Sequence, residues 1–120
     1  LAAGWLAVAQ PDAGKWGGLA GGLQVARRAR AAGKRFCPHH LGGALGLVAA
    51  AHLLCAAGGD GLLEVDSNVN PLRTQMVGHL PALDEGMFVL PTGAGLGVAP
   101  DLLAMSSYRL ALEGLGRRDG

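Results

Sequence analysis

The sequence predicts an α/β fold with a parallel sheet. Three observations carry that expectation. Short apolar runs ended by proline or by polar loops alternate with longer helical stretches at a pitch of about one strand–helix unit. Of the 120 residues, 21 are glycine and half are hydrophobic, while Phe and Tyr together number only three, so the core is built of Ala, Leu and Val with backbones packed closely. The glycines follow no three-residue period, which excludes a collagen-like chain.

Taken in order, Leu6 to Gln10 is a buried strand ended by Pro11, and Asp12 to Gly18 is a glycine-rich loop. Leu19 to Ala32 is a helix with Leu19, Leu23, Ala26 and Ala29 on one face and Gln24, Arg27, Arg28 and Arg30 largely off it; Gly33 caps it. Lys34 to Cys37 is the second strand, ended by Pro38, and His39 to Gly43 is a loop. Ala44 to Ala57 is a second helix, apolar nearly all round except for His52, and so expected to be buried, with His52 a hydrogen-bonded core residue. Leu62 to Val65 is the third strand, carrying Glu64. Beyond it the pattern changes: 70–81 is irregular, Met87 to Leu90 is a short strand after the turn at Asp84-Glu85-Gly86, and Leu102 to Leu112 is a last helix or a tail.

Charge and cysteine usage narrow the function classes. A net charge of +1 gives no electrostatic footprint for nucleic acid, and the cluster Arg27, Arg28, Arg30, Lys34 and Arg35 reads as a solvated helix face and its C-terminal turn. Cys37 and Cys55 lack CxxC spacing and no secretory leader accompanies them, so buried free thiols in a reducing cytoplasm are expected. The uncharged run from Phe36 to Gly59 is long enough to span a bilayer at roughly 20 residues per crossing. Its Pro38, three histidines and three glycines before the last turn argue instead for a strand, a loop and a buried helix. The chain opens at Leu1 rather than at a methionine, and a portion of a larger folded unit is expected on that account.

Three polar residues fall at equivalent points of successive units. Asp12 follows strand one, His39 follows strand two 27 residues later, and Glu64 lies near the end of strand three 25 residues beyond that. All three therefore belong to the C-terminal edge of neighbouring parallel strands, where (β/α)₈ barrels build their active sites. A carboxylate that holds one imidazole nitrogen makes the other a better base. A carboxylic acid across the site supplies a proton where its surroundings keep it protonated. Removal of a proton next to a carboxylate suits this set, given a divalent metal for the enediolate. By pattern alone a turn or capping role is the ordinary reading of each residue.

A family resemblance adds to that pattern. Gln10-Pro11-Asp12-Ala13-Gly14-Lys15-Trp16-Gly17-Gly18 resembles the QPDxxKxGG stretch after the sixth barrel strand of mandelate racemase/muconate-lactonizing enzymes of the enolase superfamily. Cys37-Pro38-His39-His40-Leu41-Gly42-Gly43-Ala44 is similar to their seventh-strand loop. Ala51-His52-Leu53-Leu54 and Leu63-Glu64-Val65-Asp66 resemble the next helix and the eighth strand; Asn70-Pro71-Leu72-Arg73 and the run from Leu90 to Val98 resemble the tail. The resemblance implies the last three strands of a TIM-like barrel over residues 1–69, with residues 70–120 as a C-terminal extension of the same domain. It implies Asp12 and His39 as an Asp–His dyad and Glu64 as the acid, with His40 the rival base and Lys15 a supporting residue. It also implies a Mg²⁺ whose carboxylate ligands lie on earlier strands, outside this chain, together with an N-terminal capping domain.

The expected activity is abstraction of the proton alpha to a carboxylate, in an acid-sugar dehydratase or a racemase/epimerase. Dehydratase is preferred by analogy with relatives that carry this dyad. The expected partners are a small carboxylate or acid-sugar substrate, the missing capping domain and barrel strands, and further copies in a homo-oligomer; no nucleic acid or membrane partner is expected. The second reading is a non-catalytic remnant, or a subunit that needs a partner barrel segment, because an open three-stranded sheet leaves apolar edges uncovered.

Overall fold

The computed structural model describes residues 4–80 and 83–109. Its architecture is the expected α/β one, a partial (β/α) barrel. β1 (Val8–Ala9), α1 (Gly18–Ala31), β2 (Arg35–Phe36) and α2 (Ala44–Ala57) follow one another as βαβα. β1 and β2 are parallel, with Val8 opposite Arg35 and Ala9 opposite Phe36. The strands are shorter than the apolar runs, but backbone pairing continues past both ends. Arg35 N–H donates to Ala7 at 3.1 Å, Cys37 N–H to Ala9 at 3.0 Å and His39 N–H to Pro11 at 3.1 Å.

α1 buries Gly22, Ala26 and Ala29. Leu23 packs beside that stripe, whereas Leu19, expected on the same face, is 44% exposed. The small residues let α2 approach closely, and a methyl at Gly22 would press on Leu53. At the C-terminus Gly33 takes φ +67°. Lys34 N–H then reaches the Ala29 carbonyl and Gly33 N–H that of Arg30, both at 2.9 Å, closing the last turn in a Schellman arrangement. Arg28 and Arg30 face the negative end of the helix dipole. α2 buries seven residues on several sides, among them Leu47, Val48 and Leu53, as its all-round apolarity predicts. The central cluster joins Ala9, Ala26, Ala29, Phe36, Leu53 and Ala57. Cys37 is buried, but Cys55 is exposed, contrary to expectation: with polar residues nearly absent, the sequence of α2 did not mark which side faces solvent.

The third segment differs from the expected strand. Residues 62–65 run beside β2 without a backbone ladder. Leu62 N–H instead donates to the Cys37 sulfur at 3.3 Å. Gly61 lies so close to the Phe36 carbonyl that a β-carbon would collide with it.

After this segment come α3 (Pro71–Thr74), capped by the Asn70 side chain, and a hairpin of β3 (Leu83–Asp84) with β4 (Met87–Phe88) around Glu85-Gly86. Of the stretch from Leu102, expected as a helix or a tail, the described part forms only a 3₁₀ turn, Ser106–Tyr108; residues 110–112, like Pro81, lie outside the described residues. Val77 bridges Pro100, and Asp101 N–H donates to Met76. Among the described residues no helix is long and apolar enough to cross a membrane.

Candidate functional site

The register of β1 and β2 decides what meets at their C-terminal ends. Because His39 N–H bonds to Pro11, the residue before Asp12, the two side chains leave the sheet side by side. Asp12 Oδ2 lies 3.3 Å from His39 Nδ1. On the other side of the ring, His39 Nε2 is 3.8 Å from Glu64 Oε2, an oxygen that accepts the His40 backbone N–H at 3.0 Å. The three side chains singled out in the sequence are thus gathered around one imidazole, although the segment bearing Glu64 is not laddered to β2.

Asp12 is tied from several directions. Its Oδ1 accepts the Gly14 N–H at 2.8 Å, and Lys15 Nζ sits 3.0 Å from Oδ2. Partial burial by itself raises the carboxyl pKa. The hydrogen bonds from Lys15, His39 and Gly14, with the Lys15 charge, outweigh it and lower Asp12 to about 2. Asp12 is therefore a carboxylate at neutral pH and accepts, so Nδ1 of His39 carries a hydrogen and Nε2 is the ring nitrogen that faces Glu64. Lys15 supports Asp12 and is otherwise exposed.

His40, the rival base, is placed differently: its Nε2 lies 3.0 Å from the Gly43 carbonyl. His52 is half-buried in α2 and bonds the Leu96 carbonyl at 3.1 Å, as a hydrogen-bonded residue in the packing should. The sequence did not reveal the bracing of the 39–43 loop from below, where Asn70 Nδ2 donates to Gly42 at 3.3 Å. That contact spans 28 residues and has no local signal.

A cleft of about 360 Å³ opens beside the dyad, lined by Asp12, Lys15, Leu19, His39, Leu41 and Ala50 among others. Glu64 does not line it. The cleft lies toward α1 and α2, apart from the meeting point of His39 with Glu64.

Among the described residues no group of three or more His, Cys, Asp or Glu is arranged to hold a metal ion. The carboxylates near the dyad are already engaged: Asp12 as above, Glu64 by the His40 N–H, and Asp66 by Asn68 and, at 3.6 Å, by Arg73. These residues do not fit a Mg²⁺ centre.

Residues 1–104 match the family model described as enolase C-terminal domain-like. Among solved structures, the chain is similar to a protein from Bordetella bronchiseptica RB50, provisionally assigned as a mandelate racemase and crystallised with 2-oxoglutarate/phosphate. The identity is 27% and the TM-score 0.81, over 88% of this chain and 28% of that one. The chain thus spans little more than a quarter of that relative's length. No match is found among curated proteins. With the parallel βαβα core, the Asp12–His39–Glu64 arrangement and a family match over most of its length, this chain belongs to the mandelate racemase/muconate-lactonizing family of the enolase superfamily.

Proposed function

We propose that the chain taken alone is not a working enzyme, and that it supplies the proton-abstracting half of a site completed by a further barrel segment. The unpartnered two-stranded sheet, the lack of a metal-ligating group among the described residues and the length of the relative support this reading. A remnant with no catalytic role is the competing form of the same idea.

In the assembled enzyme His39 is the base. The observation that carries this assignment is the Asp12 Oδ2–His39 Nδ1 distance of 3.3 Å with Nε2 left as the basic nitrogen. Asp12 fixes the tautomer and stabilises the imidazolium formed when the proton is taken. Glu64, facing Nε2 of His39, is the acid by family analogy. The substrate is a small carboxylate, an acid sugar or 2-hydroxy acid, whose alpha proton is removed. Dehydration of an acid sugar is preferred to racemisation, by family analogy. The relative's 2-oxoglutarate, itself a carboxylate, fits that substrate class. The Mg²⁺ of such an enzyme is held by carboxylates outside this chain.

Solvent deuterium incorporation at the alpha carbon, followed by NMR, tests the assignment. In the full-length protein, His39→Asn abolishes exchange and Asp12→Asn weakens it, whereas His40→Asn has a much milder effect. Exchange that survives His39→Asn but stops in His40→Asn sinks the assignment of the base. Mg²⁺-dependent turnover by the 120-residue chain alone sinks the half-site reading.

A further inference from the structure

We infer that His40 is a positioning residue, locked in place so that it holds the loop carrying His39 and presents Glu64 to it. This rests on the reading of His39 as the base.

Three independent contacts carry it. First, the His40 ring spans from the loop to the start of α2: Nε2 lies 3.0 Å from the Gly43 carbonyl, which also accepts the Leu47 N–H of the first helical turn at 3.1 Å. A carbonyl only accepts, so Nε2 of His40 carries the hydrogen and cannot take another proton there. Second, the ring lies in a trough left by two glycines. A β-carbon at Gly42 would sit 3.0 Å from the ring, and one at Gly46 would overlap it, with Nε2 at 2.9 Å and Nδ1 at 3.0 Å from that position. The Cε1 edge of the ring therefore lies over Gly46 in the first turn of α2. Third, the backbone N–H of the same residue donates to Glu64 Oε2, the oxygen nearest His39 Nε2. One residue thus ties its side chain to α2 and its main chain to the acid.

The consequence is geometric. Rotation of the 39–43 loop would move His39 off Asp12 and carry the N–H away from Glu64 together. The ring bond to Gly43 opposes that rotation, and Asn70 on Gly42 opposes it from the other side. The groups facing His39 are Asp12, with Lys15 sharing its oxygen, and Glu64; the His40 ring acts on His39 through the loop.

Carbethoxylation by diethyl pyrocarbonate tests this without a known substrate, because it modifies unprotonated, accessible imidazole, and peptide mass spectrometry resolves the two adjacent histidines. In the full-length protein His39 is modified about tenfold faster than His40: both rings are half-buried and line the cleft, but Nε2 of His40 is tied to the Gly43 carbonyl. Gly46→Ala displaces that ring and exposes it to the reagent. His40→Leu fills the trough without a donor and shifts the pH profile or rate of His39 modification by about threefold or more. His40→Gln, whose amide can still donate to Gly43, restores the native profile. The inference is overturned if His40 reacts as fast as His39 in the native protein, or if His40→Leu and His40→Gln leave the same His39 profile. Should His40→Leu not fold, the native ratio of the two histidines still decides. Survival of alpha-proton exchange in His39→Asn would defeat the base assignment without touching this result, so the two failures are distinguishable.

Discussion

Residues 8–66 and 70–109 are built on different terms. In the first stretch the helices pack on each other and on β1 and β2, and Phe36, Leu47, Val48 and Ala26 are almost wholly buried. In the second, the elements are two to four residues long, and among its described apolar side chains only Val77 and Met105 are buried. Leu72, Leu83, Met87, Val89, Leu102 and Leu103 are all exposed. The first stretch carries its own core and holds the polar site at its edge. The second is laid on by a few bonds: Asn70 to Gly42 and His52 to Leu96. Stability and the candidate site therefore depend on the same packed units, while the later stretch gains order from them.

The largest test of that difference compares two apolar truncations. Phe36 is 2% exposed and sits at the centre of the core, so Phe36→Ala lowers stability by about 3–5 kcal/mol. Leu103 is 84% exposed, so Leu103→Ala changes it by less than about 0.5 kcal/mol. Urea unfolding followed by circular dichroism measures both. Comparable losses at the two sites would mean that the second stretch has a core of its own.

A smaller effect sharpens the polar side of the first stretch. The folded protein lowers Asp12 from 3.8 to about 2, so in that interval the unfolded chain binds more protons there than the folded one. The stability Asp12 contributes is therefore fully present above the ordinary carboxylate value and is lost as pH falls through about 2. The urea midpoint of the native protein should drop over that range, and the slope should flatten in Asp12→Asn. An equal slope in both proteins would show that Lys15, Gly14 and His39 do not hold the folded carboxylate as their geometry indicates.

The same division explains what was legible in the sequence. α2 is legible to its ends because Gly43 and Gly58 bracket a run that is apolar except for His52, and α1 to within a residue because Gly33 ends it. Local signals suffice for such elements. The segment at Glu64 has the apolar run of a strand, but whether it ladders to β2 is a non-local matter, and Leu62 N–H goes to the Cys37 sulfur instead. The meeting of Asp12, His39 and Glu64 followed from one strand–helix pitch per residue. What each of them touches did not: Lys15 sharing Asp12 Oδ2, the His40 N–H on Glu64 and the His40 ring over Gly46 are settled by loop geometry. Cys55 was misplaced because a helix apolar on every side gives no periodic cue to its exposed face.

The smallest expected effect concerns the link between the two stretches. His52 projects from α2, whose neighbours Ala51 and Leu53 are buried, and its Nε2 donates to the Leu96 carbonyl in the 93–97 loop. Nothing in that loop buries a large side chain, so the bond is a main tether of the loop to the packed core. His52→Ala removes one side-chain hydrogen bond and leaves the Leu96 carbonyl close enough to the surface for water to replace it. The global loss is then about 1 kcal/mol, well below that of Phe36→Ala. The local effect is larger in kind: backbone amides of 93–97 exchange with solvent faster, while those of α1 and α2 keep their protection. Hydrogen exchange read by mass spectrometry separates the outcomes. Faster exchange confined to 93–97 supports a loop held from the core through His52. Faster exchange in α2 itself would mean that the later stretch stabilises the helix in return, and that the two stretches are one cooperative unit.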